Sequence, residues 1–170
     1  SPVGSDCISF CYADRFFWGV CTNAEKVVYS LDGVTWLSSD TNLKSFSNQL
    51  QTSYGNGAYV ILGSSNLAYA KGMNDWKMVS LPDVGGMWEA LCFGKDKFVI
   101  ISDHDVACYS EDGITWTQTT MPANAFWASV CYADGKFVAV SRTESKAAYS
   151  TDGINWVLTS TPIEKSFISV

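Results

Sequence analysis

The sequence predicts an all-β fold of four antiparallel units, each about 40 residues long and four-stranded, and three observations carry that prediction. Trp36, Trp76, Trp116 and Trp156 recur at a constant interval of 40 residues. Each closes a recurring segment: YSLDGVTW (29–36), AYAKGMNDW (68–76), CYSEDGITW (108–116) and YSTDGINW (149–156). Between these segments, apolar β-prone runs alternate with turn residues, and no stretch shows the 3.6-residue period of an amphipathic helix.

The last full copy, NAFWASVCYADGKFVAVSRTESKAAYSTDGINWVLTSTP, shows how one unit is built. FWASVCY reads as a first strand, and an Ala-Asp-Gly turn leads into the second, KFVAV. The polar loop SRTES connects to KAAYS, and Asp152-Gly153 turns the chain into INWVLT. Asp-Gly between apolar runs predicts tight hairpins, because glycine takes positive φ without steric cost. Four short strands per repeat, with one Trp and one Asp-Gly turn, is the pattern of a β-propeller blade. The blades are expected over 6–42, 43–82, 83–122 and 123–162 of a single repeat domain, 1–170.

A lone four-stranded sheet cannot bury both its faces, so stacking between neighbouring blades must supply the core. The recurring Trp is expected at those blade-to-blade contacts. Residues 163–170, IEKSFISV, align with the opening strand of a fifth unit. That strand is compatible with closure of a four-bladed ring, with a longer propeller, or with pairing to another subunit.

The segments SLDGVTW, SEDGITW and STDGINW resemble the Asp-box, or bacterial neuraminidase repeat, with one residue fewer between Asp and Gly. Similar repeats occur in phage tail fibres and bacterial surface proteins. The resemblance implies a propeller whose Asp-boxes lie on peripheral hairpins, away from any active site. Asp32, Asp112 and Asp152 are therefore expected to accept N–H groups of their own turns, and Trp36, Trp76, Trp116 and Trp156 to be structural. The second copy keeps Trp76 but has lost the Asp-Gly pair.

Composition narrows the function classes. The net charge is −6, and the two arginines, Arg15 and Arg142, are far apart, so a basic groove for nucleic acid is not expected. No apolar run approaches the roughly 20 residues of a membrane helix. The opening SPVGSD and the ending SFISV read as those of a fragment or processed piece. The six cysteines occupy repeat columns shared with Ser, Gly, Ala and Val, which favours free thiols filling small sites and folding in a reducing cytosol. Display on a virion or cell surface could follow.

The sialidase chemistry found within the resembled family draws on three arginines, and two are present. Glycoside hydrolysis needs only two carboxylates, for which Glu89, Asp103, Asp105 and Glu144 are candidates, although they read equally as solvated loop acids. His104 is the only histidine and has no nucleophile motif around it. Neither a metal site nor a cofactor is expected.

The loops between second and third strands, and those linking blades, vary while the strands keep their type. Trp88 and Trp127 stand where other copies have Cys7 and Gln49, so the fold does not demand an aromatic there. Together with Phe126, Arg142, Glu144, His104 and Asp103 they are the candidate ligand-binding residues, an aromatic platform beside polar groups suited to sugar rings. The bland reading is that both indoles fill space. The expected function is a non-enzymatic recognition module, of a phage tail fibre or surface protein, for a cell-surface glycan or protein receptor, with self-association as a further expectation. The alternatives are an architectural or multimerisation propeller without a ligand, and a glycan hydrolase.

Overall fold

The computed structural model describes residues 6–43, 46 and 49–162. It contains four four-stranded antiparallel sheets, each with its strands in sequence order. The chain divides into two compact units, Ser1–Leu81 and Pro82–Val170. The first unit holds β1 (Cys7–Ala13), β2 (Phe16–Cys21), β3 (Lys26–Ser30) and β4 (Leu37–Asp40), followed by β5 (Gln51–Gly55), β6 (Ala58–Leu62), β7 (Leu67–Ala70) and β8 (Lys77–Val79). The second holds β9 (Trp88–Gly94), β10 (Lys97–Ser102), β11 (Val106–Ser110) and β12 (Thr117–Thr120), then β13 (Trp127–Ala133), β14 (Lys136–Ser141), β15 (Lys146–Ser150) and β16 (Val157–Ser160). The expected extra strand, 163–170, lies outside the described residues.

The first hairpin of every sheet is a two-residue turn with both residues at positive φ: Asp14-Arg15, Asn56-Gly57, Lys95-Asp96 and Asp134-Gly135. This is the type I′ geometry, whose twist matches that of the flanking strands. Register follows from it, with Ala133 opposite Lys136 and Gly94 opposite Lys97.

The Asp-Gly segments before the last strands are not tight hairpins. Tyr149 pairs with Val157, so residues 150–156 form a wider loop and β16 starts later than the INWVLT expectation. The side chain of Asp152 explains the difference. Its Oδ1 accepts the N–H groups of Ile154 and Asn155, both at 2.8 Å, while Gly153 N–H donates to Ser150 Oγ at 2.8 Å. Asp32 and Asp112 repeat the arrangement with Val34 and Thr35, and with Ile114 and Thr115. Backbone and Ser30 hydroxyl donors hold the Asp32 carboxyl at about 2. Burial pushes Asp112 and Asp152 up, but the donors around each outweigh it and both end below the ordinary range.

Each unit has its own apolar core between its two sheets. In the first, Trp18, Val20 and Val27 pack with Tyr59, Ile61, Ala68 and Trp76. In the second, Val99, Ile101 and Ala107 pack with Val130, Phe137, Ala139 and Ala148. Burying each large side chain contributes about 1.5–3 kcal/mol. Gly94 is needed in the second core, since a Cβ there would run into the Tyr132 ring.

The tryptophans and the cysteines refine two expectations. Trp76 packs on the neighbouring sheet's Trp18, and Trp156 meets Phe137 and packs against the core between the third and fourth sheets, whereas the ring contacts of Trp36 and Trp116 are with Phe10 and Phe98 of their own sheets. The indole N–H of Trp36 and of Trp116 also closes its own loop on the glycine carbonyl three residues earlier. The cysteines are not all separate thiols: Cys7 and Cys21 face each other across β1 and β2 and are joined in a disulfide. Cys11, Cys92, Cys108 and Cys131 are free, and burial pushes Cys11 to about 11 and Cys108 to about 12.

Candidate functional site

The loop ends of the sheets are tied together by a recurring pair of backbone hydrogen bonds. In the third sheet Asp103 N–H donates to Met87 C=O and Met121 N–H to Asp105 C=O, and in the fourth Arg142 N–H donates to Phe126 C=O and Thr161 N–H to Ser145 C=O. In these two sheets, as in the first, the loop between the second and third strands is thus clamped to the segment entering the sheet and to the segment leaving it. Side chains carried by these loops stand on rigid supports.

Three sheets have a bulge at the start of the first strand, seen as a register shift between Cys7 and Ser9, across from Ile101 and Ser102, and between Trp127 and Ser129. The extra residue is Ile8, Glu89 or Ala128. A bulge re-aims its side chain. In the third sheet the re-aimed group is a carboxylate, and Glu89 is buried. This corrects its reading as a solvated loop acid.

Glu89 Oε2 accepts from Arg142 Nη2 at 3.3 Å, which links the third sheet to the fourth. Burial raises the Glu89 carboxyl above its ordinary range; Arg142 pulls it back, and the nearby charge of Asp103 pushes it up again. Asp103 Oδ1 contacts His104 Nδ1 at 2.7 Å and accepts the Met87 N–H at 2.8 Å. Gly86 lies so close to Asp103 and His104 that a Cβ would strike both side chains. The Arg142 side chain is 39% exposed, and its buried Nε has no hydrogen-bond partner among the described residues. Four charged or titratable groups therefore converge at one loop end: Glu89, Arg142, Asp103 and His104.

The register shows why these residues stand out. Ser102 pairs with Trp88 and Ser141 with Trp127, so Asp103 and Arg142 occupy the same repeat position, taken by Thr22 in the first sheet. The fold accepts a small polar residue there, and the third and fourth sheets carry opposite charges at it.

The remaining candidates are placed differently. Trp88 and Trp127 are buried, and the Trp127 indole N–H donates to Ala123 C=O at 3.1 Å, so both rings anchor the loop end from beneath. Phe126, 49% exposed, is the aromatic that reaches the surface beside Arg142. Glu144 pairs with Lys146. Among the described residues no cluster of His, Cys, Asp and Glu suits a metal ion, and no helix is long and apolar enough to cross a membrane. Beside the Asp loops at the other end of the strands lie shallow concavities of about 350 and 310 Å³, the first lined by Tyr109, Glu111 and Asp112 and the second by Phe16, Tyr29 and Asp32.

No protein-family model matches the chain, and no curated protein sequence does. Solved structures do. The chain superposes on virginiamycin B lyase from Staphylococcus aureus with a TM-score of 0.81 at 12% identity, over 96% of this chain and 58% of that one. It superposes on YCF48 from Cyanidioschyzon merolae with a TM-score of 0.71 at 16% identity, over 99% and 60%. A structure of YCF48 bound to D1 peptide gives 0.69 at 17% identity, over 97% and 56%. These neighbours are propellers, and the likeness establishes the fold: an all-β chain of propeller blades. The chain spans a little over half the length of each structure it matches.

Proposed function

We propose that the chain is a non-enzymatic recognition module that binds a polar ligand, a cell-surface glycan or a protein segment, at the loop end of its second unit. The observation that carries the reading is the convergence of Glu89, Arg142, Asp103 and His104 beside the exposed Phe126 ring. A guanidinium with a donor to spare and carboxylates set by bulge and loop suit hydroxyl or amide groups, and the phenyl ring offers an apolar face to stack on. The YCF48 structure bound to a peptide supports the protein-segment version. The Asp loops, which resemble Asp-boxes of phage tail fibres and bacterial surface proteins, support display on such a surface. At identities of 12% and below, the activity named for the lyases does not carry over to this chain.

Labelled chain incubated with intact bacteria, purified polysaccharides and extended peptides tests the proposal. Selective binding that Phe126→Ala and Arg142→Ala each weaken at least tenfold, with unchanged circular dichroism, is the expected outcome. Absence of binding to every target by the folded chain overturns it.

A further inference from the structure

Among the described residues, two blade faces stand exposed that are the complementary halves of a contact made within each unit. In each unit the later sheet lays a leading face onto the trailing face of the earlier one. The leading face is built on Tyr59 in the first unit and on Val130 and Phe137 in the second. The trailing face is built on Trp18 and Val20, and on Val99 and Ile101.

Register places Phe17 at the position of Tyr59 and Phe137, and Phe10 at that of Val130. Tyr59 and Phe137 are buried, whereas Phe17 is 41% exposed, Phe10 is 54% exposed and Tyr12 beside them is 65% exposed. The first sheet thus shows solvent a complete apolar leading face. Val138 holds the position of Trp18 and Val99, each of which is fully buried. Val138 itself is only half-buried, Cys131 beside it likewise, and Tyr149 across the sheet is exposed. The fourth sheet therefore shows a trailing face. In neither place did selection substitute charges, as a solvated sheet face favours.

We propose that these two faces join between copies of this chain, the leading face of one first sheet packing on the trailing face of another copy's fourth sheet. The occupant is a second copy because the chain itself carries both halves, in the residue types that already pack together inside each unit. The contact is head-to-tail, so its stoichiometry is set by where the rotation closes. The structures this chain resembles are also longer than it is, as the 56–60% coverage records.

Sedimentation equilibrium and light scattering on the full chain test this over a wide concentration range. The expected mass is twice 18.6 kDa. Phe10→Lys and Tyr12→Lys, at exposed positions, each halve the mass with unchanged circular dichroism, and Val138→Lys does the same from the other half. Val34→Lys, at an exposed position on the Asp loop, leaves the dimer intact. A monomer at every concentration overturns the proposal and leaves further blades of a longer polypeptide as the covering partner. A dimer that Phe10→Lys and Tyr12→Lys both leave whole, or that Val34→Lys dissociates equally, overturns the assignment of the face.

Discussion

Replacing Arg142 by methionine tests the physics of the charged loop end most directly. The substitution keeps the alkyl stem and removes the guanidinium that sits 3.3 Å from the buried Glu89 carboxylate. Removing one member of a buried pair leaves the other uncompensated, which costs about 3–5 kcal/mol when both are fully buried. Here Arg142 is 39% exposed and water already screens it, so the cost at neutral pH is about 1–3 kcal/mol. Glu89 limits the loss further by taking up a proton. Its folded carboxyl already lies above the ordinary range, mainly through burial, and loss of Arg142 raises it more.

The direction with pH follows from that. A carboxyl raised on folding binds its proton more tightly in the native state, so the native state is unpenalised below the unfolded value of about 4.3. Stability then falls as pH rises through the folded value. Arg142→Met and wild type should accordingly have nearly equal stability near about pH 4 and diverge as pH increases. Adding Glu89→Gln removes the buried charge and brings the double variant to within about 0.5 kcal/mol of Glu89→Gln alone. Urea unfolding followed by tryptophan fluorescence across this pH range measures all four proteins. A deficit in Arg142→Met that is independent of pH, or that Glu89→Gln fails to relieve, refutes the assignment of a buried carboxylate compensated by Arg142.

Other measurements reach the rest of the fold. Gly135→Ala, at φ +75° with open space around it, should cost about 1 kcal/mol, whereas Gly153→Ala should cost about 1–3 kcal/mol more, because its Cβ would lie 2.8 Å from Val99 Cγ2; equal urea midpoints would count against the packing of the fourth sheet on the third. Asp152→Asn should be less stable than wild type at neutral pH, and the gap should narrow as pH falls below about 4, since a carboxyl lowered on folding contributes above its unfolded value and loses that contribution as it protonates; a gap constant down to the acid limit speaks against the Asp-loop network. Alkylation of the denatured, unreduced chain should modify the four free cysteines and leave Cys7 and Cys21 unmodified until reduction; modification of all six before reduction would remove the disulfide.

How far the sequence alone reaches depends on the range of the interaction that decides each feature. Four strands per unit, the 40-residue period and the turn at Asp134-Gly135 were legible, because such a hairpin is decided by neighbours in the chain and by backbone sterics; the equivalent turns at Asp14-Arg15 and Lys95-Asp96 carry no glycine to announce them. The Asp loops were half legible. Their aspartates were expected to bond their own turns, but the width of the loop depends on Ser150 and Asp152 sharing donors in three dimensions, which the Asp-Gly dipeptide does not reveal.

The site was the least legible part. Trp88 and Trp127 attracted attention as aromatics the fold does not require, yet both turn inward, because a large apolar ring gains more from burial beneath a loop than from display. Glu89 looked like one loop acid among several. Its neighbours in the repeat alignment, Ile8 and Ala128, are apolar, which was the available signal, and of the two Ala128 is buried as Glu89 is. That Glu89 meets Arg142, 53 residues later in the chain, was decided only by the packing of the third sheet on the fourth. Local backbone preference is written residue by residue and repeats with the sequence, but a contact between sheets depends on register, bulge and stacking at once, and those exist only in the folded chain.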